Sequence, residues 1–93
     1  MTPDQVLDRA ADLLERDGWR RDDNGPATPA ERGPRCVVGA IEAAAVNLLV
    51  RGAAQEALAV EVGGGLIGWN DEIARDGRQV VRTLRRTARK LRG

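Results

Sequence analysis

The chain has no histidine, no tyrosine and no phenylalanine, and a single cysteine, among its 93 residues. Each absence removes chemistry. Without imidazole there is no Ser-His-Asp or Cys-His nucleophile, no zincin pair and no His-containing zinc-finger spacing. Cys36 alone cannot close a disulfide within the chain, so the framework that staples small secreted proteins is missing. Trp19 and Trp69 are the only aromatics, and 14 of the hydrophobic residues are Ala, so the core must be thin and aliphatic. Without disulfide or metal staples such a core supplies about 3–5 kcal/mol on a chain this short, which makes self-association an expectation from the start. The length suits one domain, 1–93. The longest apolar run, Cys36 to Val50, falls short of the about 20 residues a membrane span needs and carries Glu42 and Asn47. It reads as a core helix. The opening Met1-Thr2-Pro3-Asp4 lacks the cationic start and apolar stretch of a signal peptide, so the expected location is cytoplasmic, without a membrane.

What is present reads as all-α, a compact bundle of about four helices. Thr2-Pro3-Asp4-Gln5 is a helix start, with Thr at the N-cap, Pro at the first helical position and Gln three residues on. Val6, Leu7, Ala10, Leu13 and Leu14 then form one apolar stripe as far as about Asp17, and Gly18 is the stop. Asp4, Asp8, Asp12 and Glu15 share the opposite face. Residues 20–34 hold three Pro, two Gly and no periodic apolar positions, which predicts a long, mobile polar loop. The second helix is expected from about Arg35 through Val50, apolar almost all round and central, until Gly52 breaks it. Ala53 to Val62 reads as helix, Gly63-Gly64-Gly65 as its end, and Leu66 to Trp69 as a short extended segment. Asp76, with Gln79 three residues later, starts the last helix, which runs to about Leu91.

Charge is strongly segregated. Residues 77–93 carry seven positive charges and no negative ones, while residues 1–76 sum to −6. Arg78, Arg82, Arg85 and Arg89 lie opposite the apolar stripe of Val80, Val81, Leu84, Ala88 and Leu91. Three readings compete for this face: plain solvation, a protein partner or second copy, and nucleic-acid phosphates, each of which a guanidinium can pair bidentately. The acids of the first helix are another sink, within the chain or in a partner copy. With only two Trp as platforms, single strands are the least favoured nucleic acid.

Other motifs are weaker than they look. Gly63-x-Gly65-x-x-Gly68 matches the dinucleotide fingerprint in letters, but a helix precedes it and no acid follows at the ribose distance, so a turn is the better reading. Cys36 beside Arg35 at a helix start has features of an activated thiol, yet no base accompanies it, which favours a buried structural role. No metal set and no cofactor site is expected. Trp69-Asn70-Asp71 is the most distinctive local group: the indole buries, Asn or Asp accepts backbone N–H groups, and a helical turn starts through Glu72 and Ile73. A small-molecule site at the same turn is the alternative.

Gly18-Trp19 after an amphipathic helix, a polar loop, Cys36-x-x-Gly39-Ala40-Ile41, Trp69-Asn70-Asp71 and Gly77-Arg78-x-Val80-x-x-x-Leu84 together resemble a family of small uncharacterised proteins of actinobacteria and their phages. The Arg to Lys ratio of 14 to 1 agrees with GC-rich coding. The chain departs from the family after Trp19, where members often carry Cys-Gln and Arg20-Arg21 stands here. The resemblance implies an all-α domain and no particular activity. The expected function is therefore a non-enzymatic protein-interaction module, self-associating as a homodimer through the second helix or adjacent apolar faces. DNA binding by the last helix is the alternative to it.

Overall fold

Helix α1 (Pro3–Asp17) starts where its capping residues place it, with Gln5 Oε1 accepting the Thr2 N–H at 3.0 Å. The computed structural model describes residues 1–93 and contains four further helices: α2 (Val37–Ala44), α3 (Leu48–Val62), the short α4 (Leu66–Gly68) and α5 (Gly77–Arg92). A single π-helical turn, Trp69–Ile73, continues α4. The all-α expectation is met, with five helices in place of about four.

One helical boundary is corrected. The apolar run from Cys36 is not one helix: it breaks at Ala45–Asn47, where Ala45 is extended and the Asn47 side chain accepts the Val50 N–H at 2.9 Å to open α3. Gly52 does not break anything, because it lies inside α3 on the exposed side. A solvent-facing glycine costs a helix only about 1 kcal/mol, which flanking turns can absorb. The second correction concerns Leu66 to Trp69, expected to be extended and found helical. Gly63, at a φ of 79°, ends α3 in the left-handed region, and the chain re-enters a helix two residues later.

Helices α1 and α5 run antiparallel in extensive contact, so that Asp4 meets Arg92 at one end and Trp19 meets Gly77 at the other. Val6, Leu7, Ala10 and Ala11 of α1, Val37, Ala40 and Ile41 of α2, Ala54 and Leu58 of α3, and Val80, Leu84 and Ala88 of α5 are fully buried in one cluster. Burial of each such Leu, Ile or Val contributes about 1.5–3 kcal/mol. Helix α2 sits in the middle, covered by α1, α3 and α4 of its own chain. Little of α2 itself is exposed, whereas Val46, Leu48 and Leu49 from the same apolar run are.

Candidate functional site

Three arrangements hold the chemistry-bearing side chains, and the first is the loop after α1. Arg20 N–H donates to the Arg35 carbonyl at 3.0 Å and Arg35 N–H to the Gly18 carbonyl at 3.1 Å, closing residues 20–34 at the neck as an Ω-loop. Inside that loop lies Arg35, wholly buried. Its guanidinium donates to the carbonyls of Pro26 (2.9 Å), Thr28 (2.8 Å), Glu31 (2.7 Å) and Gly33 (3.4 Å), and to Asp17 Oδ2 at 2.8 Å. Five donors thus find acceptors, the condition under which a buried guanidinium is tolerated. Asp17 also pairs with Arg16 and Arg32, and the hydrogen bond from Arg16 leads the causes that hold its carboxyl far below the ordinary range. Gly39 of α2 has to be glycine, since a Cβ there would stand 1.8 Å from the Asn24 carbonyl oxygen.

Asn70 is the second arrangement. It is fully buried, and its Oδ1 accepts both the Trp19 indole N–H (2.6 Å) and the Val37 N–H at the start of α2 (2.9 Å). Its Nδ2 donates to the Arg20 carbonyl (3.2 Å) and to Asp71 Oδ1 (2.9 Å). That uses the full capacity of a carboxamide and leaves none for a ligand. Asp71 accepts the Asp22 N–H at 2.9 Å, and this backbone hydrogen bond leads the causes that lower its pKa. Trp69 is buried in the core cluster, not in a cleft. Arg21 reaches the same place, donating to the carbonyls of Asp71 and Ala74 with its guanidinium 4.6 Å above the Trp19 ring. Cys36 lies nearby as the N-cap of α2, its Sγ accepting the Gly39 N–H at 3.3 Å, and burial pushes the thiol pKa up. The adjacent helix start does not yield a thiolate here.

The third is α5 itself, whose cations divide into two sets. Arg85 turns toward α1 and pairs with Asp8 (3.4 Å), Asp12 (2.8 Å) and Glu15, which raises its pKa, the Asp12 hydrogen bond first. Arg92 pairs with Asp4 (2.8 Å) and Asp8. Arg86 and Lys90 share Glu61 of α3 at 3.0 and 2.8 Å, and the Lys90 hydrogen bond leads the causes that lower that carboxyl's pKa. Arg78, Arg82 and Arg89 are exposed and form none of the chain's ion pairs. Arg85 is thus separated from the other three residues with which the sequence pattern grouped it. Beside that second set runs a surface depression of about 610 Å³, between α1 and α5 and lined by Leu14, Trp19, Gly77, Arg78, Val81 and Arg82, among others. A second hollow of about 390 Å³ continues it past Val81 and Arg82 to Arg89.

Arg35, Asp17 and the floor residue Trp19 are the side chains that sequence reasoning did not single out as a site. Arg35 looked like a helix-start cation, and only the loop wrapped round it shows otherwise. Comparison with family models matches residues 1–90 to a family of unknown function, DUF6197. No curated protein and no solved structure matches the chain.

Proposed function

Because the chain belongs to this family of unknown function, its role must come from its own surface, and we propose a non-enzymatic protein-interaction module that self-associates through α3. The observation that carries the reading is where the exposed apolar side chains fall. Val46, Leu48, Leu49, Val60, Ile67 and Ile73 are all more than 60% exposed, and all lie between residues 46 and 73. On α3 the exposed positions Leu49, Gly52, Ala53, Glu56 and Val60 follow helical spacing and contain one charge. Gly52 and Ala53 let a second backbone approach closely between flanking Leu49 and Val60, as a two-fold helix pair requires. The non-enzymatic part is supported by the interior polar groups, because Arg35, Asp17 and Asn70 are each engaged in holding the fold. No helix is long and apolar enough to cross a membrane.

Sedimentation of the purified chain tests the proposal. A dimer is expected, with Tm rising as protein concentration rises. Leu49→Glu together with Val60→Glu, at positions 88% and 78% exposed, should give a folded monomer. A wild-type chain that stays monomeric at about 500 µM, well above the Kd of a functional homodimer, overturns it.

A further inference from the structure

The α1–α5 trough shares no residue with the exposed stripe of α3, and its assignment does not depend on self-association. We infer that the trough between Trp19 and Arg89 receives an acidic amphipathic helix of a partner protein. Its floor is apolar, made of Leu14, Trp19 and Val81, and at one end Trp19 packs directly on Gly77, where a Cβ would stand 3.0 Å from the Trp19 Cβ. The two hollows share Glu15, Val81 and Arg82, so they form one channel along α5. From Arg78 to Arg89 the helix rises about 16 Å, the length of three helical turns. An open, elongated channel with an apolar floor suits a helix laid lengthwise, whose anchors recur at i, i+3 or i+4 and i+7.

Charge decides what flanks those anchors. The acids at the rim are engaged: Glu15 holds Arg85, and Asp76 accepts the Gln79 N–H at 2.8 Å as the cap of α5. Of the seven cations of α5, Arg85, Arg86, Lys90 and Arg92 have carboxylate partners within the chain. Arg78, Arg82 and Arg89 remain, and all three line the channel. Carboxylates on the flanks of the incoming helix complete these guanidiniums, each as a charge-assisted pair. Nucleic acid fits less well. The floor of Leu14, Trp19 and Val81 offers a phosphate backbone no hydrogen-bond donor, whereas it matches the apolar face of a helix, and one face of the Trp19 indole, which a base would stack on, is already covered by Arg21.

The test uses the whole chain and three probes. One is a synthetic 14-residue peptide with Leu at helical spacing on one face and Glu on its flanks. The second is the same peptide with Lys in place of Glu, and the third is a 16-base-pair duplex DNA. Fluorescence titration should show saturable binding of the Glu peptide, weakened at least tenfold by raising salt from about 50 to 300 mM. Binding of the Lys peptide should be at least tenfold weaker. The variant Arg78→Gln, Arg82→Gln, Arg89→Gln should lose at least tenfold in affinity while keeping its circular dichroism and Tm, since none of the three residues forms an ion pair in the fold. Leu49→Glu with Val60→Glu should bind the Glu peptide as wild type does, which separates this site from the α3 face. Absence of binding at about 1 mM peptide, equal binding of the Lys peptide, binding untouched by the triple substitution, or tighter binding of the duplex than of the Glu peptide overturns the inference.

Discussion

Replacing Asn70 probes the junction on which the most distant parts of the chain converge. Asn70→Ala removes the acceptor of two donors, the half-buried Trp19 indole N–H and the buried Val37 N–H that opens α2. The Val37 bond is buried, so water does not reach that N–H without local opening, while the Trp19 indole is half-buried. Each orphaned donor costs about 1–3 kcal/mol, so the two together should cost about 2–6 kcal/mol, centred on about 4 kcal/mol. The whole fold of a 93-residue chain is worth about 5–14 kcal/mol, so this is a large fraction of it. Tm should fall by about 15–30 °C. Asn70→Asp sharpens the test, because the carboxylate keeps the shape and both accepted hydrogen bonds but replaces the Nδ2 donor, 2.9 Å from Asp71 Oδ1, with a second anion. Like charge raises the folded-state pKa of the new carboxyl above its unfolded value of about 3.9. The penalty is therefore full above the folded pKa and disappears below the unfolded one. Urea melts followed by circular dichroism at pH 7 and pH 5 should show the gap between Asn70→Asp and wild type narrowing as pH falls. An Asn70→Ala cost under about 1 kcal/mol, or an Asn70→Asp gap that ignores pH, refutes the account of Asn70 as a saturated structural junction.

Arg35→Met leaves Asp17 without its buried partner and the Pro26 and Gly33 carbonyls without a donor, and should cost about 3–5 kcal/mol, toward the lower figure because Arg16 and Arg32 still face Asp17 and the Thr28 and Glu31 carbonyls keep the Glu31 N–H and Arg16 as donors. Amide hydrogen exchange should then accelerate across residues 20–34 before it does in α5; unchanged exchange in the loop would show that Arg35 does not organise it. Wild-type stability should be nearly flat from about pH 6 to pH 8, because no histidine titrates there. Asp4, Asp17, Glu61 and Asp71 have folded pKa values below their ordinary 3.8 or 4.5, so the unfolded chain binds protons first and stability falls as pH drops through and below that range. Cys36 acts at the other end, its raised pKa weakening the fold above the ordinary thiol value of 9.0. A titration of melting free energy that peaks near pH 4 would contradict these signs.

Much of the frame was legible because it is written in short-range chemistry. Thr2 to Gln5, Asp76 with Gln79, and the stripes of α1 and α5 each combine a cap with helical spacing, and both helices end within two residues of where those signals place them. The break at Ala45–Asn47 was not legible, since continuous apolarity carries no boundary and Asn47 looks like an interior polar residue until its side chain is seen capping Val50. Trp69-Asn70-Asp71 announced a turn, but not that Asn70 would reach Trp19 and Val37, 51 and 33 positions away. Arg35 was hidden for the same reason: its acceptors are backbone carbonyls, which every residue type supplies. The division of the α5 cations into paired and unpaired sets depends on the rotation of α5 against α1, a tertiary variable that no periodicity encodes.

The antiparallel pairing of α1 with α5 has a consequence for how the chain is made. Arg92 grips Asp4 from 88 positions away, so α1 docks against a helix that leaves the ribosome long after it. Until α5 emerges, Val6, Leu7, Ala10 and Leu13 face water or whatever holds a nascent chain, because their principal cover does not yet exist. Closing so long a loop places the rate-limiting search late and raises the contact order above that of a helical hairpin bundle. Synthesis therefore proceeds through a chain with an uncovered apolar stripe, which closes only once the arginines of α5 have emerged and can cross back to α1.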